Sequence, residues 1–110
     1  MDTQMMAHLR SKLLHRREIS VGRRTRLLAE RRQLMERGPA ASGELADDRT
    51  EAARLEGMAR VETHALDRID ASLERMTRGT YGLCARCHGA IETERLRAMP
   101  DVSFCAGCTH

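Results

Sequence analysis

Four cysteines are the residues here whose type and spacing announce chemistry: Cys84-Ala85-Arg86-Cys87 and Cys105-Ala106-Gly107-Cys108 form Cys-x2-Cys-x17-Cys-x2-Cys. Two residues between cysteines let one tight turn aim both sulfurs at a common ion, and a second such turn closes a tetrahedron. The expected cofactor is therefore one structural Zn(2+), held by Cys84, Cys87, Cys105 and Cys108. Four protein ligands leave no coordination position for water, so hydrolysis is not expected at such a site. In a module of this size, metal binding at about 10 to 16 kcal/mol is enough to drive folding.

Other chemistries fit less well. Cys84-x2-Cys87-His88 also matches a c-type haem attachment motif, but haem attachment needs export and a lone cysteine pair. A thioredoxin-like dithiol needs a strand-helix-strand setting, which this sequence does not offer. Zinc loss on thiol oxidation is open to the same sulfurs, although zinc-bound thiolates are normally structural. His88 is read as an exposed turn residue, because four cysteines already complete the shell. His8, His15 and His64 stand alone on helical stretches, with no serine or carboxylate constellation around them, and no enzyme is expected.

The elements that must carry this module can be read from composition. The chain has 110 residues, of which 32% are charged, and its only aromatics are Tyr81 and Phe104. Residues 1–78 thus lack any large aromatic and are rich in Arg, Glu, Leu, Ala and Met, the composition of long helices that bury a narrow seam. No run of apolar residues is long enough to span a membrane, and the early arginines leave no apolar signal segment, so a cytoplasmic location is expected. Cysteines are kept reduced there, which favours metal over disulfide.

An apolar pair recurs every seven residues in the first segment: Leu13 with Leu14, Ser20 with Val21, Leu27 with Leu28, Leu34 with Met35. The alternate seam positions hold Leu9 and then Arg16 or Arg17, Arg23 or Arg24, and Glu30 or Arg31, so this seam is half basic. Gly38-Pro39 stops the helix near Arg37. Residues 39–43 read as a linker, with Ser42, Asp47 or Asp48 able to cap the next helix. That second helix has a cleaner heptad in Ala52, Leu55, Ala59, Glu62, Leu66, Ile69, Leu73 and Met76, and it ends at Arg78-Gly79. The fold class is mainly α: an antiparallel two-helix coiled-coil hairpin at 1–78, its tip at about 38–50, followed by a small four-cysteine zinc-ribbon-like module at 79–110. At 1.5 Å rise per residue such an arm reaches roughly 45 to 50 Å.

Residues 1–38 carry a balance of +6, residues 39–78 one of −3, and residues 79–110 none, within a formal total of +3. The basic face of helix one can meet the acidic face of helix two in pairs worth a few tenths of a kcal/mol each. The alternative is that the surplus arginines form a docking stripe for an acidic surface. With zinc bound as a tetrathiolate the net charge falls to about +1. That is a poor footprint for nucleic acid, and the arm has no aromatics for stacking on single strands.

A family resemblance rests on Gly79-Thr80-Tyr81-Gly82-Leu83-Cys84-x2-Cys87, then Ile91, Glu94-Arg95-Leu96, Ala98 and Pro100, then Cys105-x2-Cys108. This segment resembles the zinc finger of the DksA/TraR family of bacterial RNA polymerase regulators. The resemblance implies a non-catalytic transcription regulator. Its hairpin would enter the secondary channel of RNA polymerase, acidic tip toward the catalytic centre, while the zinc end contacts the rim. No specific DNA sequence would be read, and some members act together with a nucleotide alarmone. Full-length members carry Asp-x-x-Asp-x-Ala at the tip. Counting back from Cys84 places Ala41, Glu44 and Ala46 there, and the alternative register through Asp48-Arg49-Thr50 puts Leu45 first, so the first acid is absent in both. The tip residues expected to bind the partner are Glu44, Ala46, Asp47 and Asp48. The sequence stops two residues after Cys108, so the C-terminal helix of longer members is not expected.

The competing function is a zinc-stabilised protein–protein adaptor without RNA polymerase activity, suggested by Arg16, Arg23 and Glu30 within the seam. The expected state is a monomer, with self-association belonging to the adaptor alternative.

Overall fold

The computed structural model describes residues 1–37 and 42–109, with backbone alone at 42–45. Helix α1 spans Thr3–Glu36, α2 Ser42–Arg78 and α3 Thr93–Ala98, followed by a 3-10 turn at Ala106–Cys108. The fold is mainly α, as expected, with two long helices paired antiparallel and a four-cysteine module after them.

Each helix end has a local cause. Asp2 precedes α1, and its Oδ1 accepts the backbone N–H of Met5 at 2.7 Å, satisfying one of the free donors of the first turn. α1 ends at Glu36, as its sequence implied, while Gly38 and Pro39 lie outside the described residues. α2 ends in paired bonds: the Gly79 N–H donates to Met76 O at 3.3 Å and the Thr80 N–H to Arg75 O at 2.9 Å. Gly79 sits at φ +77°, the left-handed conformation this closure needs. The start of α2 corrects the sequence reading. The helix begins at Ser42, so Ser42 and Gly43 belong to it rather than to a linker, and Asp47 and Asp48 lie within it instead of capping it. A glycine in a first turn costs little, because the backbone donors there lack intrahelical partners anyway.

The chain forms two compact units. In the unit made of Ile19–Leu66, the two helices meet over Ala52, Leu55, Ala59 and Leu66 of α2 and Ser20 of α1, all buried, with Leu27 and Leu34 half-buried. Alanines at 52 and 59 let the backbones approach. Arg23 pairs with Glu62 at 3.8 Å, Arg31 with Glu56, and Arg37 with Asp48 at 3.1 Å. Partner numbers fall along α2 as they rise along α1, the signature of antiparallel pairing. These pairs, each with at least one half-buried member, contribute on the order of 1 kcal/mol or less and chiefly set register.

The other unit joins Met1–Glu18 with Asp67–His110. Its core holds Leu9 and Leu13 of α1, Ile69 of α2, and Tyr81, Cys84, Ile91, Leu96 and Val102. The C-terminal module therefore does not rest on metal alone, since it shares an apolar core with both long helices. Asp101 receives Arg68 at 3.1 Å and Arg16 at 3.9 Å, and Arg17 reaches Asp70 at 2.7 Å. Lys12 Nζ donates to Arg97 O, closing the end of α3. Of the two aromatics only Tyr81 is in the core, its hydroxyl donating to Pro100 O at 2.8 Å. Phe104 lies half-out, with the Arg86 guanidinium 5.8 Å from its ring centre.

Candidate metal centre

Two short chain reversals bring the four sulfurs together. In the first, the Cys84 N–H donates to Gly89 O at 2.8 Å and the His88 N–H to Cys84 O at 2.9 Å, beneath a bridge between Leu83 and Ala90. His88 completes this turn at φ +63°, the one described non-glycine residue in the left-handed region. It is exposed and takes no part in the sulfur cluster, consistent with its reading as a turn residue. In the second, the 3-10 turn carries the Cys108 N–H to Cys105 O at 3.0 Å, and the Thr109 hydroxyl donates to the same carbonyl at 2.8 Å. The Ala85 N–H donates to Ser103 O at 2.8 Å and ties the two reversals together.

The Sγ atoms of Cys84, Cys87, Cys105 and Cys108 all lie within 4.8 Å of one another, and Cys87 to Cys105 measures 3.8 Å. A tetrahedron with zinc–sulfur bonds of 2.3 Å has edges of about 3.8 Å. The donor set thus fits a single zinc ion, and its chemistry agrees, since soft thiolates suit zinc and four of them close its shell. Cys84 is buried and the other three are partly or fully exposed.

Electrostatics at the cluster are uneven. Backbone N–H groups of Cys87 and Cys105, and then Arg86, favour the Cys84 thiolate and bring this thiol down to about 6. Hydrogen bonding to the Cys105 sulfur, then burial and the neighbouring Cys84 and Cys87 sulfurs, push Cys108 up to about 12. Cys84 can therefore offer a thiolate at neutral pH, whereas Cys108 keeps its proton until a cation displaces it.

The tip residues are not members of the cysteine cluster. Ala46 and Asp47 are exposed, Asp48 is half-buried and held by Arg37, and the Glu44 side chain lies outside the described residues. Sequence reasoning did not find Arg37 as the partner of Asp48, although antiparallel register alone would have placed them opposite. It also missed Glu92, whose Oε2 accepts the Ala106 N–H at 3.4 Å beside Cys105. His8, His15 and His64 are exposed on the helices, remote in role from the cysteine cluster.

Comparison with known proteins agrees with this geometry. The model of the prokaryotic DksA/TraR C4-type zinc finger matches residues 79–110. An uncharacterized protein of Aquifex aeolicus (strain VF5) is 43% identical over 54 residues, 49% of this chain and 37% of that protein. The match thus spans well under half the length of that relative. Among solved structures, transcription factor DksA2 from Pseudomonas aeruginosa superposes with a TM-score of 0.84 at 29% identity, over 94% of this chain and 79% of that one. The chain carries the DksA/TraR C4-type zinc finger on a DksA-like fold.

Proposed function

We propose, from that zinc finger and that fold, that the protein is a non-catalytic transcription regulator of bacterial RNA polymerase. The observation that carries this reading is the likeness to a transcription factor over 94% of the chain, helices as well as finger. In this reading Cys84, Cys87, Cys105 and Cys108 hold one structural zinc, whose chemistry is to fix four thiolates in one geometry. The closed donor set leaves the ion no open position for a substrate, which supports a structural role. The arm, residues 1–78, enters the secondary channel, and the finger, residues 79–110, contacts the rim. Asp47, exposed near the start of α2, is the described carboxylate best able to meet the polymerase, with Ala46 beside it and Glu44 in the preceding turn. Asp48 acts mainly by holding Arg37. The protein works in the cytoplasm as a monomer. No helix of the described residues is long and apolar enough to cross a membrane.

The adaptor alternative drew on Arg16, Arg23 and Glu30 as misfits in the seam. The two arginines find acids, Asp101 and Glu62, which removes part of that motive. The deciding experiment is binding to core RNA polymerase with a known secondary-channel factor as competitor. Mutual displacement is expected, and absence of binding at low salt would overturn the reading. Joint substitution of Glu44, Asp47 and Asp48 by their amides should abolish any transcriptional effect while leaving the fold intact. An unchanged effect would sink the tip mechanism.

A further inference from the structure

The two chain reversals that carry the sulfurs are held by different means. Cys84 belongs to the core, 1% exposed, and its turn is closed by backbone bonds from the Cys84 N–H to Gly89 O and from the Ile91 N–H to Gly82 O, at 2.8 and 2.7 Å. The second reversal is anchored less deeply. Cys105 and Cys108 only border that core, no residue of the Ala106–Cys108 turn is buried, and Phe104 just before it is 39% exposed. Apolar burial alone does not fix these two sulfurs.

Helix α3 supplies polar contacts on both sides of this turn. Glu92 precedes α3, where a side-chain oxygen could cap the helix, yet it makes no cap bond there. Its Oε2 accepts instead the Ala106 N–H, at 3.4 Å. An N–H at the start of a helical turn has no partner within that turn, so the carboxylate satisfies a free donor. Three residues on, Arg95 is half-buried. Its Nε donates to Phe104 O at 2.9 Å, and a terminal nitrogen donates to Thr109 Oγ1 at 2.7 Å. Thr109 Oγ1 in turn donates to Cys105 O at 2.8 Å, the carbonyl that also accepts the Cys108 N–H. Arg95 thus grips the chain just before Cys105 and just after Cys108, two acceptors that a planar guanidinium fork serves at once. Its neighbour Arg97 is turned elsewhere, pairing with Glu94 at 3.2 Å.

We infer that Arg95 is a positioning residue of the metal centre, acting through Thr109 and opposed by Glu92, and that this clamp sets how tightly zinc is held. Groups that hydrogen-bond behind metal ligands hold those ligands in place, and their loss weakens metal affinity about 10- to 100-fold. Here one arginine governs two of the four sulfurs, because Cys105 and Cys108 move together on one short turn. The inference rests on the cysteine cluster and does not depend on the polymerase reading.

The test uses the full-length protein, with zinc affinity read by competition with a chelating dye and the site geometry read from the sulfur-to-metal and d–d absorption of the cobalt(II)-loaded form. Arg95→Leu should weaken zinc binding about 10- to 100-fold and alter the cobalt spectrum, while the helical circular dichroism is unchanged. Arg97→Leu, the same charge change on the same helix, should leave affinity and spectrum as they were. Thr109→Val should shift both readouts in the direction of Arg95→Leu, Thr109→Ser should restore them, and the Arg95→Leu/Thr109→Val double variant should fall short of the sum of the two, as members of one network do. Thr109 is exposed, so the valine and serine pair decides the matter even if Arg95→Leu fails to fold. Equal zinc affinity and equal cobalt spectra for Arg95→Leu and Arg97→Leu would overturn the proposal. So would a Thr109→Ser variant as impaired as Thr109→Val, since the hydroxyl would then not be the intermediary.

Discussion

Leu13 lies 71 positions before the first zinc-site cysteine, Cys84, yet it is fully buried in the core that also holds Cys84, Ile91 and Leu96. Leu13→Ala should therefore loosen the metal centre as well as the helices. Truncating a fully buried leucine costs about 2 to 5 kcal/mol, the lost transfer energy plus that of the cavity left behind. At 1.4 kcal/mol per tenfold, the population of the opened unit rises roughly thirty-fold to several thousand-fold. If zinc leaves through that opened unit, its release to a chelating dye should accelerate in the same proportion, with thermal unfolding followed in parallel by circular dichroism. Leu28→Ala is the matched control, because an exposed leucine truncation falls within about 0.5 kcal/mol of neutral. Indistinguishable zinc release from the two variants, with only Leu13→Ala lowering the helical melt, would refute the shared core and make the finger an independent module.

Tyr81→Phe removes the donor to Pro100 O in a buried setting and should cost about 1 to 2 kcal/mol by denaturant titration. Burial raises the Tyr81 hydroxyl to about 12, against about 10 in an unfolded chain. The folded state thus keeps a proton that the unfolded state loses, so stability is full below about pH 10 and declines as pH climbs toward 12. The phenylalanine variant should show a flatter alkaline limb. Gly82 sits at φ +90°, and a Cβ there would lie 3.1 Å from Met1 Cε and 3.7 Å from Leu96 Cδ1. Gly82→Ala should destabilise by about 1 to 2 kcal/mol, mostly from the backbone conformation, since the methionine end can move aside. Zinc affinity should rise at least about tenfold per pH unit between pH 7 and 9, because Cys108, raised to about 12, must surrender its proton to the metal. Below about pH 6 Cys84 protonates as well and the dependence should steepen, a slope readable by competition with a chelator of known pH behaviour.

Much of this molecule is legible in one dimension because its regularities are local. The α2 seam from Ala52 to Met76 is written as a heptad, and every member is buried or half-buried. The Arg78-Gly79 stop is a property of backbone conformation at one glycine, and it stands where the sequence puts it. The cysteine spacing defines two tight turns, and two tight turns leave little freedom for four sulfurs that must meet.

What the chain order does not contain is which distant residues share a core or a charge. Leu9 and Leu13 look like any other members of the α1 repeat, yet they are fully buried against finger residues, whereas Leu14 and Leu28 of the same pattern stay exposed. Asp101 is an ordinary loop acid until the fold places Arg16 and Arg68 beside it. The sequence by itself determined the helices, the metal donors and the net complementarity of the two long segments, since each depends on residues within a few turns of one another. Tertiary structure decided the shared core beneath the zinc site and the holding of Asp48 by Arg37, because burial and pairing are set by three-dimensional proximity.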